Sequence, residues 1–179
     1  AVTAQGLDEK SKREAEELRN TVKALSSESE RVKYLISYIE DKNSLAAEYA
    51  VGLLGVLKSK EAVPFLTRLL QSNNEGHSRV KEFIPQALVN IKDKRSIEPL
   101  IKALGDKNLV VAKRSAIALT MLTKHNPGVK FDSFEQQQEE AIKLWRDWWQ
   151  KNKEVVEINE DQKKKSSQAG KESNQEKSN

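Results

Sequence analysis

Apolar residues recur through the middle of the chain with a period that few architectures produce. Leu54, Leu88 and Leu119 occupy equivalent places, as do Leu57, Ile91 and Leu122, at separations of 34 and then 31 residues. A second set (Val32, Val63, Ile97; Leu35, Leu66, Leu100; Ile39, Leu70, Leu104) is separated by 31 and then 34. Three extra residues in the loop from Ser72 to Arg79 reconcile the two. The first set crosses that loop in its first step and the second set in its second step, so the underlying period is 31. The motifs Asp41-Lys42-Asn43 and Asp106-Lys107-Asn108 fix the register, each starting 13 residues before its leucine. Self-similarity at this spacing marks stacked supersecondary units, none of which can bury its apolar face alone.

Each unit reads as two helices. The spacing predicts A helices over Leu45 to Leu57, Arg79 to Ile91 and Leu109 to Leu122, and B helices over Glu30 to Ile39, Glu61 to Leu70 and Ser96 to Leu104. Apolar residues fall three and four apart within them, as in Ala50, Leu53, Leu54, Leu57 and in Val63, Leu66, Leu70, which gives one buried stripe per helix. Pro64 and Pro99 lie near the first turn of their B helices, where a missing backbone donor does little harm. Pro85 lies inside an A helix and must bend or split it between Phe83 and Ala87.

The strings VKEFIPQALVNIKDKRSIEPLIKAL and VVAKRSAIALTMLT resemble the short HEAT-like repeat of the phycobilisome-lyase subtype. Val80-Lys81, Ala87-Leu88, Lys92-Asp93 and Ile97 to Leu100 match its Val-Arg-type start, Ala-Leu helix, Lys/Gly-Asp turn and Ile/Val-x-x-Leu helix. Ala46-Ala47 departs from the Val-Arg start. The resemblance covers about Glu30 to Leu122 and implies an all-α fold, a short right-handed α-solenoid of helical hairpins with a capping helix at each end.

Terminal units of a solenoid would otherwise expose a stacking face. Residues 1–25 read as an N-terminal extension and capping helix, from about Asp8 to Leu25, with Ala15, Leu18, Val22 and Leu25 in one stripe. The repeats occupy 26–123. Residues 124–150 read as a loop broken by Asn126-Pro127-Gly128 and a capping helix that starts after Asp132 or Ser133, where Asp132 with Glu135 and Ser133 with Gln136 fit a capping box. That helix carries Trp145, Trp148 and Trp149, similar to a Trp-x-x-Trp-Trp segment that closes HEAT-like proteins of bacterial envelopes. From Lys151 to the end, 151–179, Lys, Glu, Ser, Gln and Asn predominate, and such a segment cannot bury enough apolar surface to offset its conformational entropy; a disordered charged tail is expected. The start Ala1-Val2-Thr3-Ala4 without Met resembles a mature exported chain, so a periplasmic or otherwise extracytoplasmic location is expected.

Catalytic chemistry has little to build on. There is no cysteine and hence no thiolate or zinc-thiolate site. His77 and His125 sit in loops without a carboxylate spaced to orient either ring, and no phosphate-binding, dinucleotide or hydrolase signature is present. The expectation is a non-enzymatic chain with no cofactor and no metal.

What a solenoid offers instead is a row of exposed residues on successive B helices. Ser37, Arg68 and Lys102 form one row, and Tyr34, Phe65 and Pro99 another, so each helix pairs members three residues apart on one face. Lys58, Lys60, Lys92, Lys94 and Arg95 form a ladder on the turns between A and B helices. The net charge of +4 is distributed unevenly: residues 58–114 hold 12 basic and 6 acidic groups, while the rest nearly balances. An aromatic and cationic strip of this kind suits a protein partner with an acidic, partly apolar surface. The reading is a protein–protein interaction or scaffold module, an exported accessory subunit of a larger envelope assembly such as a secretion or flagellar structure. One alternative is a bilin lyase or chaperone, implied by the resemblance; the other is a nucleic-acid-binding HEAT-like protein, for which the basic excess is weak and no arginine-rich motif exists.

Overall fold

A computed structural model describes residues 9–41, 45–156 and 158. Among the described residues all regular structure is helical. The helices are α1 (Glu9–Ala24), α2 (Glu28–Asp41), α3 (Leu45–Leu57), α4 (Val63–Leu70), α5 (Ser78–Lys81), α6 (Ile84–Ile91), α7 (Ile97–Ala103), α8 (Leu109–Thr123) and α9 (Gln138–Asn152). Two layers result. Helices α1, α3, α6 and α8 pack side by side in succession, while α7 packs between α4 and α9, and α2 meets the turn that leads into α4.

Position in the layers explains the composition of each helix. Helix α3 is flanked by α1 and α6 and also packs on α2, so it buries Ala46, Ala47, Ala50, Val51 and Leu54 around much of its circumference. Helix α4 is amphipathic and buries Val63, Phe65, Leu66, Leu69 and Leu70. Small residues bring the first layer close together. A methyl group on Gly55 would lie 2.9 Å from the Ala87 Cα, so α3 and α6 approach nearly backbone to backbone there.

Proline 85 breaks its helix as expected, and the break falls one turn ahead of the ring. Helix α5 ends at Lys81, four residues before Pro85, where the ring would meet the helical carbonyl. The gap is bridged by tighter bonds, from Glu82 N to the Arg79 carbonyl and from Phe83 N to the Val80 carbonyl, both 3.1 Å. The loop carrying the three extra residues is fastened by Lys81. Its buried ammonium donates to the Ser72 carbonyl at 3.0 Å and pairs with Asp106 on the next turn.

Two expectations need correction, and a third, the capping helices, gains detail. First, the capping box before α9 does not form: the chain makes two short 3-10 turns over Phe131–Ser133 and Glu135–Gln137, and neither has a side-chain cap. Ser133 instead accepts from Gln137 Nε2 at 2.7 Å, and Gln138 opens α9 by donating to the Leu104 carbonyl at 2.7 Å. The reciprocal box lies before α2, where Ser27 Oγ accepts from Glu30 N and Glu30 Oε2 accepts from Ser27 N, both at 3.1 Å. Second, α1 and α9 cover the ends of the stack as expected, and they do so in register with it. Helix α1 packs on α3 and α9 packs on α7, so each continues a layer of the stack. Third, the fold does not stop at Gln150: α9 runs to Asn152, and Val156 and Ile158 pack against the core. The remainder of the expected tail, Lys42-Asn43, and the first eight residues lie outside the described residues.

Candidate protein-docking surface

The basic ladder begins with helix ends. Lys58, Lys92 and Lys124 follow α3, α6 and α8, and all three adopt the left-handed conformation with φ of 53°, 57° and 57°. This turn ends α3, α6 and α8, and after α3 and α6 it leads the chain into the second layer. Lys60, Lys94 and Arg95 lie on the short 3-10 turns that follow. Here the structure brings together what the sequence spaced apart, because Arg95 Nη2 donates to the Lys60 carbonyl at 3.0 Å. The same guanidinium wraps Asp93, with Nη2 to Oδ2 at 2.7 Å and Nε to Oδ1 at 3.0 Å. Those bonds hold the buried Asp93 carboxyl below its usual range; its hydrogen bonds to Arg95 outweigh its desolvation. Arg95 therefore fastens one turn to the next, while Lys58, Lys60 and Lys94 of the ladder are exposed.

The second-layer face contains most of the remaining candidates. Tyr34 is half-buried and lies 6.4 Å from Tyr38, ring to ring; Ser37 is exposed and donates to the Tyr34 carbonyl at 3.0 Å. Phe65 is a correction: at 6% exposure it belongs to the core, because its position on α4 turns it between the layers, and Arg68 covers its ring at 5.6 Å. Arg68 also reaches Glu40 on α2 at 3.3 Å, and Lys102 reaches Glu98 at 3.2 Å. Both pairs are solvated and contribute little to stability, so the cations remain available to a partner.

Between α7 and α9 this face opens into a groove of about 580 Å³ lined by Glu98, Ile101, Lys102, Arg146, Trp149, Gln150 and Lys153. Lys102 is the one basic residue anticipated there. Arg146, Trp149 and Gln150 on α9 and Lys153 at its C-terminal cap recur at three and four spacing, a signal present in the sequence but obscured because the long connector after α8 breaks the repeat period. The tryptophans divide their roles. Trp145 is fully buried, Trp148 stacks on the His125 ring at 4.8 Å, and Trp149 stands half-buried at the groove.

A charged seam crosses the first layer. Arg79 pairs with Glu48 at 3.0 Å, and Arg114 donates to the Glu82 carbonyl at 2.9 Å and covers the Phe83 ring at 5.4 Å. Burial pushes the Glu48 carboxyl above its usual value, against the pull of Arg79 and with Glu82 adding to the rise. Among the described residues no cluster of His, Asp or Glu could hold a metal ion, and no helix is long and apolar enough to cross a membrane.

Comparison with curated proteins returns no match. A family model described as HEAT repeats matches residues 32–120. That span runs from within α2 through most of α8 and contains every full-period apolar row except the last member of one, Leu122. With its two helical layers, repeated left-handed turns and Trp-rich last helix, the chain is a HEAT-like repeat protein.

Proposed function

We propose that the chain is a non-enzymatic docking module that binds an acidic, partly apolar segment of another protein along the second-layer face. HEAT repeats are of the protein–protein interaction scaffold type, and the family is generally non-catalytic. The observation that carries the reading is the α7–α9 groove, where Lys102, Arg146 and Lys153 surround Trp149 with a single carboxylate, Glu98, among them. An indole with three cations around it favours an aromatic or aliphatic residue flanked by Asp or Glu. Arg68 and the Tyr34–Tyr38 pair extend the same face toward α2.

The test is site-specific photo-crosslinking in the native host, with a photo-reactive residue at Gln150 and, as a control, at Val56 on the other layer. A discrete adduct from Gln150 alone is expected, reduced about tenfold by Arg68→Glu with Lys102→Glu. Equal adducts from both positions, or an adduct indifferent to charge reversal, would overturn the assignment. Membership of an extracytoplasmic envelope assembly is part of the same proposal, and the cysteine-free composition is compatible with it. Cell fractionation of the gene product decides that part, with recovery in the cytosol counting against it.

A further inference from the structure

Helix α8 is the last helix of the first layer, and its outer side is unusually apolar. Val110, Ile117 and Met121 are 43%, 36% and 45% exposed and lie along one stripe. Grooves flank the stripe on both sides. One, of about 320 Å³, runs between α6 and α8 over Phe83 and Val89. The other, of about 420 Å³, runs between α8 and the connector that carries Phe131 and Phe134. A ridge beside grooves of comparable size is the shape that helices use to interdigitate.

The rim charges of the second groove decide the occupant. Lys113 stands on the α8 wall, while Asp132 and Glu135 stand on the connector wall. Arg114 is held by Glu82, but among the described residues neither Lys113 nor Glu135 has an ion-pair partner. A patch with a cation on one wall and carboxylates on the other complements itself under a two-fold rotation, in which each copy's Lys113 meets the other's carboxylates. A uniformly acidic or basic partner would leave one wall opposed by like charge.

We propose that the chain forms a two-fold dimer through α8, the Val110–Ile117–Met121 ridge of each copy seated in a groove beside the other's α8. This surface lies on the layer opposite the α7–α9 groove, so a dimer would present two docking faces outward. Sedimentation equilibrium of the full chain over the micromolar range tests it. Association to twice the monomer mass is expected, and a monomer throughout would overturn the proposal. Ile117→Asp should abolish association while thermal unfolding stays near that of the parent. Lys113→Glu and Glu135→Lys should each weaken association about tenfold when alone, and equimolar mixing of the two should restore it, since every contact then pairs opposite charges. A dimer that survives Ile117→Asp, or single charge variants whose mixture stays as weak as either alone, would refute this geometry.

Discussion

Lys58, Lys92 and Lys124 each hold a conformation that an L side chain enters at a steric penalty and glycine enters freely. Replacing any one by glycine should therefore stabilise the protein, by about 0.5–1 kcal/mol after allowing for the greater freedom of glycine in the unfolded chain. Denaturant titration reads this directly, and destabilisation at all three positions would mean that the lysine side chains contribute more than the backbone penalty. Gly55 predicts the reverse. An added methyl group would meet the Ala87 backbone at 2.9 Å, so Gly55→Ala should destabilise by about 1–3 kcal/mol although alanine favours helix. The pKa values of two carboxylates are shifted in opposite directions. The Asp93 pKa lies below its unfolded value, so its contribution is present above that value and is lost as pH falls through the folded one. The Glu48 pKa lies above its unfolded value, so its ionisation costs stability as pH rises through the folded one. Glu48→Gln should consequently be neutral or stabilising at neutral pH, whereas Asp93→Asn should destabilise there and less so in acid. Equal losses from both substitutions would contradict the assignment.

Among the elements, α9 shows what a repeat period can and cannot reveal. Trp145 is fully enclosed, and Trp145→Ala should cost about 3–5 kcal/mol. Truncation after Gln150 should also lower stability, because it removes the Lys153 N bond to the Trp149 carbonyl together with Val156 and Ile158. The A and B helices were legible because their apolar rows repeat, and the split at Pro85 was legible because a proline constrains the preceding turn wherever it falls. Helix α9 kept its amphipathic spacing, but the connector from Lys124 to Gln137 removed its register, so its groove-lining residues could not be aligned with Lys102. Phe65 was misplaced for another reason. Spacing gives the face of an α4 residue only to within one side chain, and packing against the neighbouring helices decides which member of the row turns inward. The lysine turns were visible as a charge pattern, but the backbone conformation beneath them was not.

Across the whole molecule, neighbouring units are joined by side chains that reach backbone carbonyls. Gln71 Nε2 donates to the Pro99 carbonyl at 2.9 Å, Arg95 to that of Lys60, Arg114 to that of Glu82 and Gln138 to that of Leu104. Such ties are a nearest-neighbour coupling, and in a short solenoid they favour unfolding as one unit over fraying from an end. The tryptophans supply a way to see the difference. All three in the sequence lie on α9, at the last position of the second layer. Their emission is therefore a local gauge of one terminus, while circular dichroism averages over every helix. Coincident midpoints for the two signals are expected if the ties hold the stack together; an emission change that precedes the loss of ellipticity would show the Trp-rich end peeling away first.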